Sequence, residues 1–147
     1  MEARLTRRAL SENKTLDGLE TTEEQLGFMD RLDNDTQRQF LLQSLQDAVT
    51  VQNEVETLVN AWARGDTDTL RDSLLQGLED VPALYDAILV QRNRNWAATV
   101  AGLLDRTENY LVVVGAMHLV GDDSLLAMLE AKGIRARQLS DKDFTKP

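Results

Sequence analysis

The sequence contains no cysteine, which removes disulfides, thiolate metal ligands and a cysteine nucleophile together. It has one histidine, His118, so any imidazole chemistry of this chain rests on that residue. Positive charge is in deficit: Lys and Arg total 16 against 25 Asp and Glu, and the net charge of -9 repels a phosphate backbone or an anionic membrane surface. Nucleic acid is therefore not an expected partner. No apolar run approaches the ~20 residues of a membrane helix. The longest, 111–121, is interrupted by His118, so no membrane insertion is expected. Residues 1–13 carry Arg4, Arg7 and Arg8 without the apolar core of a signal peptide and read as a lead-in. Gly-x-Ser-x-Gly, a Walker motif, a Rossmann phosphate loop and His-Glu-x-x-His are all missing, which disfavours a serine hydrolase and the familiar nucleotide and zinc signatures.

A chain of 147 residues with 42% hydrophobic content is long enough to bury one core, and a single domain over 1–147 is expected. After the lead-in of 1–14, residues 15–20 read as a short strand ending in Glu20. Thr21 and Thr22, each with an acid or amide three residues on, form a capping box for a helix through Leu26, Met29 and Leu32. Asn34, Asp35 and Thr36 open a second helix, with Phe40, Leu41, Leu45 and Val49 in phase, and the two are expected to form a hairpin. Ala48, Val51, Val55, Leu58, Val59 and Trp62 share a helical face that stops at Gly65. Asp66-Thr67 starts the next helix and Pro82 suits a first turn, so 22–105 is a helical region. At Tyr110 the period changes. Tyr-Leu-Val-Val-Val has the pattern of a strand covered on both faces, 125–129 of a helix, and 134–139 of a last strand. The expected fold class is α/β, helix-rich, with a small mainly parallel sheet, a helical hairpin or bundle insertion, and a right-handed strand-helix-strand crossover over 110–139.

His118 follows Gly115 in Gly-Ala-Met-His, where glycine permits a tight turn at the sheet edge. Imidazole binds metals and titrates near neutrality, so His118 is a candidate ligand or proton shuttle; the alternative is a histidine satisfied by hydrogen bonds at a sheet edge. Glu20, ending a strand and opening a helix, is a candidate metal ligand or base, or else a support for that helix start. Arg92 and Asn93 join two helical segments and concentrate donors for a carboxylate or a developing oxyanion, or form an interhelical clasp. Trp62, Trp96 and Tyr85 read as core or interface aromatics, and Asp122-Asp123 as a helix cap.

Taken together, Gly18-Leu19-Glu20-Thr21 with Glu24-Gln25, Arg92-Asn93 with Trp96-Ala97, and 113–121 with its Gly-x-x-His resemble the TraB/GumN family, related to the Tiki metalloproteases and more distantly to erythromycin esterase and ChaN-like proteins. The likeness runs from about residue 14 to residue 139 and is that of a C-terminal portion, a partial domain with one Gly-x-x-His where the family has two. The resemblance implies a metal-dependent, peptidase-like hydrolase. Its catalytic residues would be Glu20, His118, Arg92 and Asn93, and His118 and Glu20 would hold a divalent ion such as manganese, cobalt or zinc. It further implies a peptide-like substrate and a bacterial envelope, periplasmic or secreted setting. The remaining ligands would come from an N-terminal half or a second copy in a homo-oligomer. The alternative is a non-catalytic interaction or regulatory module that keeps the fold without its chemistry.

Overall fold

The structure, a computed structural model, describes residues 2–144, and the side chains of all of these except 46–54 and 141. Helices dominate it: α1 (Glu2–Ser11), α2 (Thr22–Asp30), α3 (Asn34–Arg64), α4 (Thr67–Leu75), α5 (Pro82–Tyr85), α6 (Gln91–Leu103), α7 (Leu125–Glu130) and α8 (Asp141–Phe144). A π turn, Asp86–Val90, joins α5 to α6, and a single 3-10 turn, Ala116–Leu119, carries His118. Among the described residues there is no strand, so the expected parallel sheet and crossover are corrected to a helical architecture with extended connections.

The reason lies in pairing. Residues 15–20, 110–114 and 134–139 have strand-like sequence, but a strand exists only beside a partner, and local pattern does not encode the partner. The Ile134 N–H, which a ladder would need, donates instead to the Leu129 carbonyl (3.0 Å), and Gly133 N–H to Glu130 (2.8 Å), so both complete the C-terminal end of α7. No backbone–backbone hydrogen bond reaches 111–114 among the described residues. The run keeps the alternation of a strand without its ladder: Leu111 and Val113 are exposed, Val112 and Val114 half-buried.

The helix starts follow local chemistry closely. Thr21 caps α2 in a reciprocal box, its hydroxyl accepting from Glu24 N–H while the Glu24 carboxylate accepts from Thr21 N–H at 2.7 Å. Asp33 rather than Asn34 caps α3, and Gly65 closes it in the left-handed conformation. The two helices expected over 34–65 are one continuous rod of 31 residues, because no glycine, proline or competing cap interrupts it. Ala48, Val49 and Val51 lie outside the described side chains. Of the rest of that face Leu58 is half-buried, while Val55, Val59 and Trp62 are exposed, and Trp62 joins no core.

The core forms where the chain folds back on α6. Trp96 and Ala97 pack against Leu125 and Leu129, with Leu19, Val100, Val114 and Ile134 at the margin. Burying Leu125 and Leu129 contributes roughly 1.5–3 kcal/mol each. A second cluster, Ala61, Leu70 and Val120, ties the end of α3 and α4 to the 3-10 turn. The π turn between α5 and α6 adds a residue to one turn, and with it Ala87, Leu89, Val90, Asn93 and Trp96 are all buried along one continuous helical segment.

Candidate functional site

Trp96 is the hub of the polar cluster. Its indole N–H donates to Glu20 Oε2 (3.2 Å), the Arg92 guanidinium lies 4.8 Å above its ring, and the His118 ring lies 4.4 Å from it at a 48° tilt. Arg92, one helical turn earlier on α6, donates from Nη2 to Glu20 Oε1 (2.7 Å) and from Nε to both carboxylate oxygens. A third group, Arg92 Nη1, donates to the Ile88 carbonyl (3.1 Å). Both partners of the pair are largely buried, with side-chain exposures of 13% and 15%. An Arg–carboxylate fork of this kind fixes geometry as well as charge.

Glu20 reaches this position through a tight turn in the Gly18-Leu19-Glu20 segment. A Cβ at Gly18 would stand 2.9 Å from the Glu20 carbonyl oxygen, so only glycine lets the chain fold over itself there. The acid does not end a strand, and it is not the helix support considered as its alternative role. The cap of α2 is made by Thr21 and Glu24, which leaves Glu20 free to turn inward.

His118 is buried, 4% exposed, beneath α6 and not at a sheet edge. Its Nδ1 lies 2.7 Å from Asn93 Oδ1, and the Asn93 side chain, fully buried, donates from Nδ2 to the Asp123 carbonyl (2.7 Å). The Asp123 carboxylate in turn accepts from the Tyr85 hydroxyl (3.0 Å). Burial drives the imidazole pKa down to about 4, the Arg92 cation pushing the same way and Glu20 opposing. His118 is therefore neutral at physiological pH. Desolvation, with Asp123 alongside, pushes the Tyr85 phenol up to about 12, so it remains a donor.

Gly115 holds φ -63 and ψ 145, ordinary extended backbone, and a Cβ there would meet only His118 Cδ2 at 3.8 Å. The turn does not need glycine at that position, contrary to the sequence expectation. Gly121 is the residue that must be glycine: its φ is +86, and a Cβ would lie 2.8 Å from Leu75 Cδ1. That turn precedes Asp123, whose carbonyl meets Asn93, and Ser124, which caps α7 where the Asp122-Asp123 pair was expected to do so.

All of the sequence-predicted site residues, Glu20, Arg92, Asn93 and His118, thus gather around Trp96. The sequence profile of the TraB/PrgY/gumN family matches residues 1–138. The chain belongs to that family. A protein named Metalloprotease TIKI homolog from Amphimedon queenslandica is 39% identical over 59 residues, covering 39% of this chain and 12% of the relative's length. This TraB/PrgY/gumN chain therefore matches a small share of that relative. No solved structure matches it.

Trp96, Tyr85 and Asp123 escaped the sequence reading of the site. Trp96 had a signal: it lies four residues after Arg92, on the same helical face, and a buried indole N–H requires an acceptor. The part played by the Asp123 carbonyl left no sequence signal, since every residue carries one. Two clefts flank the cluster, one lined by Arg71, Glu79, Tyr85 and Asp123 and the other by Val100, 111–114 and Leu119, but neither includes His118 or Glu20.

The relative's name raises the question of a metal. A catalytic ion usually takes about three protein ligands. Here both Glu20 oxygens accept hydrogen bonds from Arg92 or Trp96, whose guanidinium partner would repel a cation, and one imidazole remains. Among the described residues no three His, Asp or Glu side chains converge. These residues do not by themselves fit a divalent ion.

Proposed function

We propose that this chain is the His118-bearing part of a hydrolase site acting on peptide-like substrates. The observation that carries the reading is a buried, neutral imidazole whose Nδ1 is engaged by Asn93 while Nε2 has no protein partner among the described residues. A neutral ring nitrogen can accept a proton from an attacking water, or give its lone pair to a divalent ion such as manganese, cobalt or zinc. Glu20 and Arg92 act as a pair that holds the Trp96 face against His118. Any ion would need ligands from outside the described residues, either a preceding half of the polypeptide or a second copy of this chain. Family membership and the 59-residue match to a relative named as a metalloprotease support the hydrolytic class.

The experiment is a peptide-hydrolysis assay on the purified chain, with and without added manganese, cobalt or zinc, comparing wild type with His118→Ala. Turnover lost in the variant is the expected result. Undiminished turnover in His118→Ala would remove His118 from the reaction.

One observation favours a second reading, an interaction or regulatory module without catalysis. No fully buried side-chain polar atom among the described residues lacks a partner, so the interior of the cluster is paired as a structural polar core would be, with His118 Nε2 left outside that network. Metal-dependent turnover by this chain, abolished by a chelator, would exclude that reading.

A further inference from the structure

The notable property of Asn93 is that its two amide ends face chemically different groups. At one end lies the Asp123 carbonyl oxygen, which only accepts; it is 2.7 Å from Nδ2. At the other lies His118 Nδ1, 2.7 Å from Oδ1, which donates or accepts according to the tautomer. Turning the amide over would place two oxygens at 2.7 Å without a proton between them, so the Asp123 carbonyl dictates the amide orientation. With Oδ1 turned toward the ring, Nδ1 must carry the proton for this contact to be a hydrogen bond. The neutral ring has one proton, so Nε2 carries a lone pair.

We propose that Asn93 is the positioning residue that sets the tautomer of His118, keeping Nδ1 protonated so that Nε2 is the basic or ligating nitrogen, with the Asp123 main chain as the fixed reference. This rests on the reading that His118 serves the reaction, and it removes Asn93 as an oxyanion donor, because the Nδ2 end points at Asp123. The logic is that of other histidine sites, where the hydrogen bond at one ring nitrogen decides what the other can do. The reference point is itself anchored. Tyr85 donates to the Asp123 carboxylate, and the left-handed turn at Gly121 fixes the backbone just before it. Ser124, adjacent to Asp123, is pinned by capping α7 through its acceptance from Ala127 N–H (3.2 Å).

Because His118 is the only histidine, the ring nitrogens can be observed without assignment ambiguity. Nitrogen-15 labelled histidine in the intact chain, recorded at neutral pH, is expected to show a protonated, pyrrole-like Nδ1 and an unprotonated, pyridine-like Nε2. Asn93→Leu removes the acceptor and is expected to shift the ring toward the Nε2-protonated form. A wild-type ring protonated at Nε2 overturns the proposal, as does an Asn93→Leu protein with an unchanged ring. The wild-type spectrum decides on its own if Asn93→Leu does not fold. Peptide hydrolysis measured on the same samples separates the two claims: the expected tautomer without turnover leaves the positioning role standing and removes the hydrolase reading, whereas turnover lost in His118→Ala alongside the opposite tautomer does the reverse.

Discussion

The surroundings of Trp96 and the extended run 110–114 have opposite relations to the rest of the chain. Around Trp96, polar side chains from separated segments bond one another: Arg92 and Trp96 reach Glu20 across 72 and 76 residues, and Asn93 reaches Asp123 across 30. In 111–114 the side chains are apolar and three of the four are β-branched valines, yet the backbone finds no backbone partner among the described residues. The first region is completed by this chain; the second is left half-made. Strong local preference and completed structure are therefore different things, and here the weaker local signals produced the more fully bonded site.

Trp96→Ala should show the largest effect, since it deletes the core anchor, the Glu20 donor and the face covering His118 at once. A loss of about 3–5 kcal/mol is expected from urea unfolding. A loss below about 1 kcal/mol would mean that the cluster is not organised by the indole.

The pH dependence of His118 comes next. Its folded value of about 4 lies below the unfolded 6.5, so between these two pH values the unfolded chain holds a proton that the folded chain does not. The stability it confers is complete above about 6.5, falls as the pH drops toward about 4, and changes no further below that. A displacement of that size corresponds to on the order of 3 kcal/mol. Urea midpoints taken across that window in wild type and His118→Gln isolate this contribution from carboxylates such as Glu24 and Asp33. Parallel slopes in the two proteins would show that the imidazole is not buried neutral.

The Glu20–Arg92 pair provides a sharper contrast. Glu20→Leu leaves Arg92 with a charge that is mostly out of water and should destabilise by about 2–3 kcal/mol, somewhat less than a fully buried pair because both side chains retain some exposure. Adding Arg92→Met should restore much of that loss. Additive losses in the double variant would indicate that the pair is not coupled.

These comparisons also mark what the sequence disclosed. Caps and stops were legible because they are short-range: Thr21 with Glu24, Asp66 with Thr69, Pro82 at a first turn and Gly65 at a helix end all act within a few residues. The convergence of Glu20, Arg92, Asn93 and His118 was legible only through motif resemblance, since no periodicity relates positions separated by 72 residues. The sheet was misread because β-branched composition reports a preference for extended backbone and burial, and says nothing about whether a partner is present. The tautomer-setting contact at Asp123 could not be read at all, because a backbone carbonyl has no identity in sequence.

Within 110–114 the alternation can be tested directly. Val114 packs on the Trp96 cluster and Val113 faces out, so Val114→Lys should cost about 2 kcal/mol while Val113→Lys stays within about 0.5 kcal/mol. Equal effects at the two positions would mean that the outward face is covered in solution.

The smallest effect is expected at Gly115, and it is informative because it is small. Its backbone lies where alanine is comfortable, and the space a Cβ would occupy contains nothing closer than His118 Cδ2 at 3.8 Å. Replacing glycine there narrows the unfolded ensemble without straining the fold, so Gly115→Ala should leave stability unchanged or raise it by up to about 0.5 kcal/mol. Gly121→Ala, forced to φ +86 against Leu75, should instead destabilise by at least about 1 kcal/mol. If Gly115→Ala keeps its stability but loses peptide hydrolysis, the glycine preserves room for a substrate beside the imidazole and not a turn. If it loses stability as Gly121→Ala does, the 3-10 turn carries a constraint that its dihedral angles do not reveal.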